Sequence, residues 1–155
     1  HRLQQPRSAG ARYFWGRLKL VRAAFGSLLL VLALAPQERV AAESARFNYI
    51  LHCQGCHLVN GGGTSGKIPA LIGVGRFLSV EGGREFLVRV PGVSGSLVND
   101  AELAEVLNWI LYEFSPDNLP RNFEPYDAEE VGRYRQDPLV DVEHEKDRLL
   151  SLIET

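Results

Sequence analysis

The sequence contains no methionine and only two cysteines among its 155 residues. Two cysteines are too few for the disulfide framework of a small secreted scaffold. The lack of methionine removes every thioether sulfur that could bind a metal, and it leaves the start of translation unmarked. Hydrophobic residues make up 45% and charged residues 23% of the chain, which excludes a collagen-like or wholly disordered protein.

Long apolar runs are also scarce, which excludes a polytopic membrane protein. The one run, residues 23–35, would span about 20 Å as a helix, less than the roughly 30 Å of a bilayer core. It follows the basic segment 17–22, and the small residues at 40–42 fit a signal peptidase site. We therefore predict that residues 1–42 are an upstream extension plus a cleavable signal peptide, cut after Ala42, rather than an uncleaved anchor.

The start of translation is predicted within this leader. Leu18 or Val21 would serve if a TTG or GTG codon were decoded as methionine, since either start leaves a signal of ordinary shape.

Charge changes sign at the same boundary. Residues 1–42 hold seven basic residues and one acid, whereas residues 43–155 hold ten basic residues and eighteen acids, a net charge of −8. Eleven of those acids lie in residues 116–155. We expect neither a nucleic acid partner nor stable membrane insertion for the cleaved chain.

Helical periodicity predominates after residue 43, and no alternating strand pattern of useful length is present, so the fold class is predicted to be all-α. The clearest helix opens at Asn99, with Glu102 placed as in a capping box, and ends before Pro116. Its apolar stripe consists of Leu103, Val106, Leu107, Ile110, Leu111 and Phe114.

Other helices are less marked. Residues 44–57 are predicted to be helical, with a buried face formed by Phe47, Ile50, Leu51 and Gln54. A weaker helix is predicted over residues 79–88, where two glycines lower the helical propensity. The segments 58–67 and 90–96 are predicted to be loops. Two further helices, 127–136 and 140–153, are expected in the acidic extension, the last docking through its apolar face.

The chemistry-bearing motif is Cys53-Gln54-Gly55-Cys56-His57, a C-x-x-C-H pattern typical of c-type haem attachment. Two thiols one turn apart can bond the two vinyl groups of one porphyrin, and the adjacent imidazole can bind its iron. A thioredoxin-like dithiol or a disulfide is the rival, but the motif follows a predicted helix rather than a strand. A zinc site would need more cysteines or histidines at paired spacing.

From these residues the chain resembles the small single-haem class I cytochromes c over about residues 44–115. Pro69-Ala70-Leu71-Ile72-Gly73 is similar to the P-x-L-x-G segment of that family. The resemblance implies that the Pro69 carbonyl accepts a hydrogen bond from His57. It also implies that the last helix, which contains Trp109, crosses the first.

With that crossing, Phe47 and Leu51 are expected to meet Val106 and Ile110. Residues 43–115 are thus predicted to be a cytochrome c-like domain, and residues 116–155 an acidic C-terminal extension.

The sequence departs from the family at the sixth iron ligand. Class I cytochromes c usually carry a methionine before the last helix, and alignment on Pro91 places Val90 there. Several alternatives are open at this position: an open or water-bound iron, His144, Lys67 or a ligand from a partner. His52 precedes the motif directly and cannot easily reach across the ring.

The function predicted from the sequence is a periplasmic electron carrier rather than an enzyme, with one covalent haem c. The expected haem-binding residues are Cys53, Cys56, His57, Pro69, Leu71 and Val90, with His57 as the metal ligand. The acidic mature chain suggests redox partner proteins with a basic docking face. Two alternatives are a five-coordinate haem sensor of a diatomic gas, and a haem subunit of a larger redox complex in which Trp109 or the extension makes contacts.

Overall fold

Helices form most of the described part of the chain. The computed structural model describes the backbone of residues 38–155 and the side chains from residue 44 onward, so most of the predicted signal peptide lies outside the described residues. Within residues 38–155 the one β-type pairing is an isolated bridge between Thr64 and Ile68, which confirms the predicted all-α class. No helix in this range has the length and hydropathy needed to cross a bilayer.

The helices are named in chain order. They are α1 (Glu38–His52), α2 (Gln54–His57), a 3₁₀ helix (Val74–Ser79), α3 (Gly83–Arg89), α4 (Pro91–Ser94), α5 (Asp100–Phe114), a second 3₁₀ helix (Pro116–Asn118), α6 (Ala128–Tyr134) and α7 (Val142–Ile153).

Helix α1 crosses α5 as expected, but it buries a different face from the predicted one. Phe47 and Leu51 are 60% and 59% exposed, whereas Tyr49 is 1% exposed and packs with Val106 and Ile110 of α5. The prediction was wrong because it left tyrosine out of the apolar pattern. A tyrosine ring can be buried when its hydroxyl finds a partner.

Helix α5 has the predicted boundaries. The Asn99 Oδ1 atom accepts a hydrogen bond from the Glu102 backbone N–H at 3.0 Å, and Asn99 Nδ2 donates to Glu102 Oε2 at 2.8 Å. This side-chain cap satisfies groups that the first turn leaves without intrahelical partners. The helix ends at Phe114, before Pro116, and buries the five aliphatic residues of its stripe: Leu103, Val106, Leu107, Ile110 and Leu111.

The segment between the 3₁₀ helix and α5 is more helical than predicted after residue 90. Helix α3 begins at Gly83, later than expected, because Gly82 adopts the left-handed conformation at φ +86°. A Cβ at Gly83 would lie 1.8 Å from the Phe77 carbonyl oxygen, so only glycine allows this contact. The predicted loop 90–96 includes the one-turn helix α4, which has Pro91 in its first turn.

Both predicted helices of the C-terminal extension are present as α6 and α7. Asp127 caps α6 and Asp141 caps α7, each through its side chain. Leu149 of α7 and Val131 of α6 are fully buried in the main core, the larger cluster of buried residues, which includes Phe77, Phe86 and Leu111. The burial of Leu149 confirms that the last helix docks. The extension thus contributes to the same core as α3 and α5.

An arginine of α3 links the extension to this core by hydrogen bonds. Arg84 donates to both carboxylate oxygens of Glu130 at 2.7 Å and to the Glu124 carbonyl at 2.7 Å. Its guanidinium also lies 4.2 Å from the centre of the Tyr126 ring. Bidentate geometry and ring stacking are the arrangements that favour arginine over lysine.

We predict that Gly83→Ala destabilises the fold by about 1–3 kcal/mol, because the added methyl group collides with backbone rather than with a flexible side chain. The matched control is Gly92→Ala, where a Cβ would meet no atom within 4 Å. Urea unfolding of the two variants measures the difference. Equal unfolding free energies for both would contradict the packing argument.

Candidate functional site

The C-x-x-C-H motif forms a single helical turn, α2 with Cys53 before it, directly after α1. The backbone N–H groups of Cys56 and His57 donate to the Cys53 carbonyl at 3.1 and 3.0 Å. Both cysteines are free thiols, with Cys53 partly buried and Cys56 exposed. Burial, followed by the nearby Cys56, raises the pKa of the Cys53 thiol, so it stays protonated at neutral pH.

The imidazole of His57 is oriented by the segment that the sequence singled out. His57 Nδ1 lies 3.1 Å from the Pro69 carbonyl oxygen. A carbonyl can only accept, so Nδ1 carries the proton and Nε2 keeps its lone pair. Burial lowers the pKa of His57, and the bond to Pro69 opposes this only in part. The ring is therefore neutral at pH 7, with a free nitrogen that can bind a metal.

The glycine-rich loop after the motif brings Pro69 back to His57. Gly61 has φ +70°, and a Cβ there would lie 2.6 Å from the Phe114 ring of α5. Its carbonyl accepts from the Leu71 N–H at 2.7 Å, which closes the loop. Thr64 and Ile68 bond each other's backbone at 2.9 Å and turn the chain immediately before Pro69.

Tyr49 holds the start of this loop, and sequence reasoning missed it. Its hydroxyl donates to the Leu58 carbonyl, and the His57 carbonyl lies 3.4 Å away. Burial raises the pKa of this hydroxyl, which keeps it a donor. The signal that could have found it is an aromatic residue one turn before Cys53, because positions i and i+4 share a helix face.

Trp109 also belongs to this site rather than to an outer surface. Its ring centre lies 5.0 Å from that of Tyr49 and 5.3 Å from that of Phe114, and Tyr49 lies 5.4 Å from Phe114. These tilted and edge-on rings join α1 to α5 next to the motif. The expected partner contact through Trp109 stays a prediction, since the residue is only partly exposed.

The structure brings together most of the residues that the sequence proposed. Cys53 and Leu71 pack against the cluster of Tyr49, Val106 and Ile110. The Pro69 carbonyl accepts a hydrogen bond from His57. Val90 lies at the end of α3 against the main core, which adjoins the cluster of Cys53 and Leu71. Val74 contacts both clusters and connects them.

The other candidate iron ligands are exposed. His144 lies in the first turn of α7, and its backbone N–H donates to Asp141 Oδ1 at 3.0 Å. Lys67 and His52 are exposed on the loop and on α1. Within the described part of the chain, no group of three or more His, Cys, Asp or Glu residues is placed to hold a metal ion by side chains alone.

Two curated proteins resemble this chain, and both are named cytochrome c-552 and come from Thermus thermophilus. The first is 32% identical over 133 residues, covering 74% of this chain and 88% of its own length. The second is 35% identical over 107 residues, covering 57% of this chain and 82% of its own length. Comparison with protein-family models gives no match.

We predict that Tyr49→Phe lowers the free energy of unfolding by about 1 kcal/mol, because the Leu58 carbonyl loses its buried donor. Tyr112→Phe is the matched control on α5, since that side chain is 53% exposed and should change stability by less than about 0.5 kcal/mol. Chemical denaturation measures both. A Tyr49→Phe protein as stable as the control would show that the hydroxyl does not hold the loop.

Proposed function

This chain belongs to the c-type cytochromes, which are electron carriers, and from that premise we propose that it carries single electrons through one haem bound covalently at Cys53 and Cys56. The observation that carries the proposal is the bond between His57 Nδ1 and Pro69 beside two free thiols. The bound haem would supply the one-electron change between ferric and ferrous iron.

The two cysteine thiols fit a covalently bound haem. Two thiols that lie one helical turn apart match the two vinyl groups of a single porphyrin. The chain has only these two cysteines, so both covalent links would use them. Addition of each thiol S–H across a vinyl group would form a thioether with no atom left over.

His57 would act as the proximal ligand through Nε2. Its bond to Pro69 fixes the tautomer and the ring plane and raises the basicity of the free nitrogen. Tyr49 supports the same ligand through the backbone, since its hydroxyl bonds the carbonyl of the following residue. The His57 ring would therefore already be oriented before the haem binds.

Leu71 and Val90 are proposed as apolar contacts of the ring. Leu71 packs against the same cluster as Cys53, and Val90 packs against the main core, which Val74 joins to that cluster, so both positions support these roles. No methionine exists to occupy the sixth position, and we propose a lower reduction potential than methionine–histidine cytochromes have.

We propose that the protein works in the periplasm after cleavage behind Ala42. The basic, apolar and small-residue segments of the leader support this location. The redox partner is proposed to present a basic docking face, because residues 43–155 carry a net charge of −8. Such docking would be weak, fast and sensitive to salt.

His57→Ala and His52→Ala test the haem site when co-expressed with a cytochrome c maturation system. We expect His57→Ala to lose the absorption spectrum of the wild-type haem, whereas His52→Ala keeps it, because the His52 side chain is exposed. The double variant Cys53→Ala/Cys56→Ala should show no haem staining after denaturing electrophoresis. Covalent haem in that double variant, or equal spectra for both histidine variants, would refute the proposed site.

The location is tested separately by fractionation and intact-mass analysis. We expect the mature protein in the periplasmic fraction, with Glu43 as its first residue. A membrane-bound form that retains the apolar run would favour an uncleaved anchor instead.

A further inference from the structure

The connection between α4 and α5 is held by a single side chain from the C-terminal extension. Arg135 follows α6 directly and is only 13% exposed. Its guanidinium donates to the carbonyls of Ser94 at 3.3 Å, Ser96, and Val98 at 2.9 Å. Three carbonyls at alternating positions thus converge on one planar fork of donors.

The same guanidinium reaches the beginning of α5. Arg135 Nη1 lies 2.8 Å from Asp100 Oδ1, so the fork joins the connection to the first residue of the helix. Helix α6 approaches closely here, because a Cβ at Gly132 would lie 2.7 Å from Asp100 Oδ2. Val98 is buried at 6% exposure, whereas Leu97 is 95% exposed, so the connection adopts one orientation.

A second set of contacts from the extension holds Arg89, at the other end of residues 89–100. The Arg89 carbonyl accepts from the Leu139 N–H at 2.9 Å. The Arg89 side chain donates to the Asp137 carbonyl and carboxylate, each at 2.6 Å. Residues 135–139 therefore bracket residues 89–100, the stretch that contains Val90 and Val93.

We propose that Arg135 is a positioning residue for the haem pocket, acting from the extension through the backbone of residues 94–100 on the segment that carries Val90. This rests on the proposed function, in which Val90 contacts the haem. A segment without its own iron ligand has no metal bond to hold it in place. The arginine fork supplies that restraint from the protein itself.

The test compares Arg135→Gln with Arg133→Gln in the full, haem-loaded protein. Arg133 lies on α6, is 57% exposed and pairs with Glu129, so its replacement removes a charge of the same sign without touching the connection. Hydrogen exchange of the backbone amides, the absorption spectrum and the reduction potential are measured for each protein.

In Arg135→Gln we expect the amides of residues 95–99 to exchange about tenfold faster than in Arg133→Gln, because local opening becomes easier. The amides of residues 106–111 in α5 should exchange at equal rates in both. The spectrum and the reduction potential should change in Arg135→Gln alone. If that variant does not accumulate, Arg135→Lys should show smaller changes in the same direction, since Arg135 meets the three carbonyls from three separate nitrogens and an ammonium group has only one.

Two results would overturn the proposal. One is an Arg135→Gln protein that matches Arg133→Gln in every measurement. The other is faster exchange with an unchanged spectrum and potential, which would leave Arg135 with a structural role only. A wild-type protein without covalent haem would instead contradict the proposed function, and is recognised before any variant is compared.

Discussion

The burial of Tyr49 between α1 and α5 is the contact on which the site depends. Its ring packs with Val106, Ile110 and Trp109, and its hydroxyl bonds the carbonyl immediately after the motif. The helix crossing and the start of the glycine-rich loop are therefore fixed by one side chain. Loss of the ring would leave a cavity at the crossing, and loss of the hydroxyl alone would free the loop.

Most helix boundaries follow from local sequence and were predicted correctly, whereas the crossing of α1 with α5 and the bond between His57 and Pro69 were expected only from the family resemblance. The cap at Asn99, the end of α5 at Pro116 and the two helices of the extension follow from patterns within a few residues. The buried face of α1 could not be assigned this way, because Phe47 and Leu51 are as apolar as buried residues yet remain exposed. The contacts of Arg135 were unpredictable for the same reason, since its partners lie 35–41 positions earlier in the chain.

The extension is attached to the rest of the fold by apolar burial and by arginines together. Leu149 and Val131 are fully buried in the main core, and their burial supplies hydrophobic stabilisation to the attachment. Three arginines make this attachment directional: Arg84, Arg89 and Arg135. Each guanidinium donates to at least one backbone carbonyl as well as to a carboxylate. Carbonyl contacts cannot be exchanged for another ion pair, so these arginines fix one register between the extension and residues 84–100.

The net charge is distributed unevenly along the chain. Residues 44–80, which include the whole motif, contain no aspartate or glutamate, so the acids lie almost entirely in residues 81–155. Several of the extension's acids are paired with arginine or lysine: Glu129, Glu130, Asp137, Glu143 and Glu145.

Those pairs offset part of the acidic field, and salt screens the remainder beyond about 8 Å at physiological ionic strength. Residues 81–155 therefore carry nearly all of the negative charge, whereas residues 44–80 hold Arg46, Lys67 and Arg76 and no acid. Just before the motif, the exposed Phe47 and Leu51 present apolar surface. The negative charge and the apolar surface beside the motif thus come from different parts of the chain.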